Sequence, residues 1–393
     1  MPNTYREPDI LRGRAPFIVD GMAIPYAEFV PRFYNFCMEL GFRKGFIMPS
    51  RAFCSDENQG LPIILLTKHF GTFPFNHGRV GGIMAIDRHG PHAHHGEDLV
   101  ILQASHVGYD PVSGVYGKYN RPKMIDKCVS DSCGKLIHVI TPYLEQYQFA
   151  RDRIFLHLDN QGRYLITVKN SFIDFASHPV KNGLVLRLAN IVKVADDGRI
   201  RSQSASSTTQ AYEVSEEFRK RIDATNYQWQ SGQGKPIGDL LTADLFFYRE
   251  DFHETDESIL LERNLIEFMP KVVTSRNPPL RAAKINIQFE FARAVESIRR
   301  GDEYKGRNLL YVAGLNVDIS EYDEFPATTY FVPWAAHVQL QDGTPEQYIH
   351  PMEQEMLLKK LMEQSIDNPD QTNLKEQIGR MLEAPRFDIR SPE

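Results

Sequence analysis

The sequence predicts an α/β fold in which a mostly parallel central sheet is flanked by helices, with antiparallel hairpins added mid-chain and helices at the C-terminus. Three observations predict it. The segments DLVILQASH (98–106) and NLLYVAGLNVDI (308–319) carry apolar runs without strict alternation, as strands buried on both faces of a sheet do. Stripes of apolar residues at helical spacing lie before, between and after these runs. Between residues 153 and 214, short extended runs flank the turn residues DNQG and DDG, the pattern of hairpins.

Taken in order, Phe29, Phe33, Phe36, Cys37 and Leu40 recur at helical spacing between Ile24 and Gly41, with Gly41 as a stop. Cys37 belongs to this stripe and reads as a core residue. GFIMPSRAF then runs extended into Cys54, and the DLVILQASH strand ends at His106. After Cys133 and Gly134, KLIHVITPYLEQYQF resumes helical spacing, so Cys133 falls at a helix N-terminus, where backbone amides favour a thiolate. Pro142 is expected to kink or shorten that helix. RIFLHL and RYLITVKN form one expected hairpin, and GLVLRLANIVKVA with RIRSQSASSTTQAYEV a second. AKINIQFEFARAVESIRRG reads as a helix, NLLYVAGLNVDI and TTYFVPWAAHVQL as strands that restore parallel α/β character. PMEQEMLLKKLMEQS and NLKEQIGRMLEA close the chain as helices, and Leu357, Leu358 and Leu361 give the first an apolar face for the body or a partner subunit. These elements are expected to form one α/β domain over 1–393. Within it, 22–150 carries the metal-site residues, 151–345 the hairpins and completing elements, and 346–393 a helical extension.

Composition narrows the function classes. A net charge of −6 supplies no basic surplus for neutralising phosphates, so nucleic acid is not an expected partner. No apolar run reaches the roughly 18–20 residues of a membrane span, and MPNTYREPDILRGR places charges and proline where a secretory peptide has an apolar stretch. A cytoplasmic protein is expected. Four cysteines in 393 residues are too few for a disulfide framework and read as reduced thiols. There is no GxSxG, Walker or GxGxxG motif.

Two thiolates and an imidazole form a good three-ligand set for zinc and leave a fourth tetrahedral position for water. Cys54, His106 and Cys133 come from two strand ends and a helix start, the arrangement of a site at the carboxyl edge of a parallel sheet. Spacing alone leaves open whether they meet. Cys128 competes with Cys133, but lacks a following glycine or helix start. His77, His89, His92, His94 and His95 crowd one stretch, whose histidine-rich RHGPHAHHGED segment reads as a solvated loop, with a proton relay or a second metal site as alternatives.

The segments CSDE, GRVGGIMA, DLVILQASHVGYDPVSGVYGKYNRP and SDSCGK, in that order, resemble the limiting-CO2-inducible B and C family of β-carbonic-anhydrase-like proteins. The resemblance is best from about residue 45 to 145. It implies a β-carbonic-anhydrase-like fold and zinc held by Cys54, His106 and Cys133, with Asp56 beside the metal. It further implies reversible hydration of carbon dioxide to bicarbonate and a proton through zinc-bound hydroxide. Ordinary β-carbonic anhydrases place an arginine two residues after the aspartate, holding its carboxylate off the metal. Here that position is Asn58, and Arg79 is the candidate replacement. An inactive or regulatory zinc protein, with Asp56 as fourth ligand and a binding partner, is the competing expectation; a zinc hydrolase or a metal-free protein are lesser ones. A site assembled from separate elements and an amphipathic C-terminal helix lead to the expectation of a homodimer.

Overall fold

The computed structural model describes residues 12–86, 98–120, 129–169, 183–203, 209–225, 234–248, 252–256, 258–320, 327–341 and 350–383. His89, His92, His94, His95 and Cys128 lie outside the described residues. The chain divides into two compact units, one of Met1–Arg6, Val115–Gly117 and Asp131–Asn286, the other of Glu7–Gly114, Lys118–Ser130 and Ile287–Glu393.

The second unit contains the central sheet. Its strands run in the order Ile24–Pro25, Thr328–Gln339, Leu309–Ile319, Asp98–Asp110, Ile47–Ala52 and Phe75–Asn76. The last four strands of this order pair in parallel, and the first two joints are antiparallel. TTYFVPWAAHVQL therefore forms a long strand, but it returns antiparallel on its neighbour instead of extending the parallel set. The short connection between the two strands accounts for this, since a parallel return needs a crossover of a dozen or more residues. The His106 strand also continues to Asp110, beyond the end expected for it.

Both long parallel strands are buried almost throughout, so both faces must be covered. On one face Val100, Leu102, Ala104, Leu310 and Val312 meet the helix Tyr26–Glu39 through Tyr26, Phe29, Phe33 and Phe36. The stacked Phe29 and Phe33 rings lie 5.3 Å apart, and Phe29 meets Phe331 at 4.3 Å. Each such aromatic side chain removed from water contributes roughly 1.5–3 kcal/mol. Cys37 is fully buried in this cluster and burial pushes its thiol well above the ordinary range, as a structural cysteine requires. Leu357 and Leu361 of helix Gln354–Met362 join the same core, so this C-terminal helix docks on its own unit. On the opposite face Phe291 stacks on Tyr311 at 5.2 Å and meets Trp334 edge-on.

The first unit contains helix Gly134–Arg153, which runs through Pro142 without a break. Its buried stripe of Leu136, Val139, Ile140, Tyr143 and Tyr147 outweighs the one backbone bond that proline removes. Ile154–Leu158 and Tyr164–Lys169 form the expected hairpin within a four-stranded antiparallel sheet. The second hairpin does not form as expected. Leu184–Leu186 pairs with Phe246–Tyr248, Thr209–Glu213 pairs with Tyr164–Lys169, and among the described residues the two expected strands meet across the DDG turn through isolated bridges, Val194 with Ile200 and Val192 with Val214. The polar RIRSQ run offers no apolar face to the LVL strand, whereas FFY does.

Candidate metal centre

The parallel strands point their carboxyl ends the same way, which brings Cys54, His106 and Asp318 to one edge. Cys54 follows the strand Ile47–Ala52 and is buried. Its sulfur accepts a hydrogen bond from the Gly81 amide at 3.2 Å. That amide is presented by the GRVGG loop, which packs tightly on the sheet edge. A Cβ at Gly78 would lie 2.2 Å from the Phe53 carbonyl oxygen, and one at Gly82 2.3 Å from that of Ala104. Gly82 also has φ +80°, so both position and conformation require glycine. Behind the loop, the buried Glu290 carboxylate accepts the Met84 amide at 2.8 Å, and Gln103 donates to the Gly82 carbonyl at 2.8 Å.

His106 is completely buried, and its Nδ1 lies 2.9 Å from Asp318 Oδ2. A carboxylate accepts, so the neutral imidazole carries its proton on Nδ1 and directs the Nε2 lone pair the other way. Asp318 stands on the neighbouring strand, where Asn316 pairs with His106 and the period of two keeps 106, 316 and 318 on one face. Gln59 donates to both Asp318 oxygens at 2.9 and 3.1 Å, and Thr329 donates to Oδ1 at 3.0 Å. Asn316 donates to Gln59 Oε1 at 2.6 Å and accepts from the Tyr26 hydroxyl at 2.8 Å. A buried chain of side chains thus runs from Tyr26 to the imidazole.

Cys133 stands at the N-cap of helix Gly134–Arg153, buried, with its carbonyl accepting the Ile137 amide. One ligand atom each from Cys54, His106 and Cys133 lies within 4.8 Å of the others, and the group could hold a metal ion. Two thiolates and an imidazole are donors that zinc accepts, and atoms this close can share one ion.

Asp56 lies beside this group, its Oδ2 3.8 Å from His106 Nε2. Burial, then hydrogen bonding with Glu57, pushes its carboxyl up to about 6, partly offset by His106. A bound dication would draw it back down. Tyr119 is buried nearby, its hydroxyl pushed up to about 12 by burial first and then by the charges of Asp318, Glu57 and Asp56. Arg79 opens the glycine loop, and its backbone closes a turn with Ile83 and Gly82. Among the described residues it forms no ion pair with Asp56. Asn58 accepts from Gln59 at 3.2 Å. His77 is buried with Nε2 3.0 Å from the Met84 sulfur, a packing role under the loop.

Sequence reasoning missed Asp318, Gln59, Asn316 and the Gly81 amide. For the first and third a signal was present: two polar residues at alternate positions of an otherwise apolar buried strand, NVD, must share a face and find partners.

Sheet and site together define an α/β protein with a candidate Cys-His-Cys metal centre. No protein-family profile matches the chain, and no curated protein matches its sequence. Its structural neighbours are LCIB and homologues. It is similar to PtLCIB4, a homolog of the limiting CO2-inducible protein LCIB, with a TM-score of 0.48 and 12% identity over 85% of this chain and 96% of that one. LCIB itself gives 0.41 and 11% over 82% and 92%.

Proposed function

We propose that the chain is a zinc-dependent carbonic anhydrase that interconverts carbon dioxide and bicarbonate, with Cys54, His106 and Cys133 holding the metal. The observation that supports it most is the buried Cys-His-Cys group whose imidazole is fixed by Asp318. When bound, zinc supplies a Lewis acid that brings the pKa of a water toward neutrality, an effect softened by two thiolates. The chain's own residues do the rest. Asp318 holds the His106 proton on Nδ1, and the Gly81 amide steadies the Cys54 sulfur as a thiolate. Asp56 orients the attacking oxygen by accepting its proton in a hydrogen bond. Arg79 is the arginine proposed to keep Asp56 ionised and away from the ligands. A cytoplasmic homodimer is the working unit of this reading.

One observation favours a second reading. Asp56 sits 3.8 Å from His106 Nε2 without an ion pair to Arg79, so its carboxylate is placed to become a fourth ligand. The protein would then be a closed zinc protein with a regulatory or partner-binding role. Metal analysis and stopped-flow hydration separate the two. About one zinc per chain with hydration abolished in Cys54→Ala supports the enzyme; zinc without turnover from about pH 7 to 9 supports the closed site; a folded chain that retains no metal sinks both.

A further inference from the structure

Away from the metal centre, on the sheet face opposite His106, the second unit carries a cavity of about 920 Å3. Positions 289, 292, 293, 296, 299 and 300 of helix Pro278–Arg300 border it, a single stripe at spacings of three, four and seven. This stripe supplies Arg293, Arg299 and Arg300, while Arg12 and Arg14 enter from the opposite end of the chain. Glu296, which pairs with Arg300, and Glu353 oppose these five guanidinium groups in the lining, which leaves a cationic surplus in a chain whose net charge is −6.

The bland explanation for Arg299 and Arg300 is that they complement the negative end of their helix. It does not account for Arg12 and Arg14 converging on the same space. Arg14 is held in place: Nη2 donates to the Pro351 carbonyl at 3.3 Å, and the guanidinium lies 5.6 Å from the Phe291 and Trp334 ring centroids. Arg293 is fixed by Glu290 at 2.7 Å. Two arginines are therefore preorganised, which lowers the cost of binding. Arg299 forms no ion pair among the described residues, and its charge is available to a ligand. A concave wall with a surplus of one sign concentrates anions, and guanidinium forks match phosphate oxygens two at a time. The volume suits an organic molecule, and Phe289 adds an apolar surface.

We propose that this cavity binds an organic anion carrying two or more phosphate groups, gripped by the exposed Arg12 and Arg299 above the fixed Arg14 and Arg293. Arg293 also donates to the Met84 carbonyl, so it is left unaltered in the test. Isothermal titration calorimetry of the full chain at about 0.15 M ionic strength would use inorganic triphosphate, ATP and citrate as probes. Saturable micromolar binding of triphosphate and ATP is expected, with citrate at least about tenfold weaker. Arg12→Ala with Arg299→Ala should weaken binding by about tenfold or more without changing the melting temperature, and Arg299→Glu should do the same alone. Cys54→Ala should leave it unchanged, because the site is separate from the metal centre. Undiminished binding in the double variant, loss in Cys54→Ala, citrate equal to triphosphate, or no saturable binding of any probe would each overturn the proposal.

Discussion

Asp318 determines which nitrogen of His106 is presented to a metal, because a carboxylate at Nδ1 leaves the lone pair on Nε2. Replacing it by asparagine keeps the volume but removes the charge and sets an amide against the donating Gln59. Asp318→Asn is expected to weaken zinc binding about 10- to 100-fold, measured by competition with a chromophoric chelator. A merely structural role would lower the melting temperature and leave the affinity of the folded protein unchanged. Arg79 is a separate question at this scale. If it keeps Asp56 off the metal, Arg79→Ala should cut the hydration rate at least about tenfold at constant zinc content; an unchanged rate would remove it from the site. That Cys54, His106 and Cys133 form one group was legible because thiol and imidazole chemistry is rare enough to stand out in one chain. Gln59 was not, since a glutamine in a short turn carries no sign that its amide will be buried against a carboxylate from a strand 259 residues away.

Among elements, long strands could be read from composition, and short pairings could not. DLVILQASH and NLLYVAGLNVDI are buried on both faces and had no other stable placement. The second hairpin failed because a turn signal fixes only a local reversal, while the partner of the LVL strand was chosen by the apolar FFY some 60 residues on. The GRVGG loop is the element on which the metal edge most depends. Its glycines allow backbone contact with two strands and bring the Gly81 amide to Cys54. Gly82→Ala places a methyl against the Ala104 carbonyl at positive φ, so the loop must lift away. It should cost about 2 kcal/mol or more in unfolding free energy and lower bound zinc in the protein that remains folded. Chemical denaturation and metal analysis on the same preparation test this; normal values for both would show that the loop does not brace the site.

For the whole molecule, composition set the exclusions and the structure set the packing. No helix among the described residues is long and apolar enough to cross a membrane. The Leu357 and Leu361 stripe was visible in the sequence, but its destination was not, because an apolar face fits its own unit and a partner equally until tertiary contacts decide. The central unit also buries histidines whose neutral form the fold requires. His337 is pushed down to about 4 by burial and then by Arg299, and His77 to about 3 by burial and then by Arg51. Neither Nδ1 has a hydrogen-bond partner among the described residues. The folded pKa values lie below the unfolded value near 6.5, so between about 4 and 6.5 the unfolded chain binds more protons. Stability is therefore full above about pH 6.5 and falls as pH drops toward the folded values. Each histidine should account for about 2 kcal/mol of loss between pH 7 and 5. Urea unfolding at those two pH values should show the decline, to which the buried His69, also pushed down to about 4, adds, and His337→Gln should remove about 2 kcal/mol of it. A variant that declines as steeply as the natural protein would show that this histidine is not held neutral.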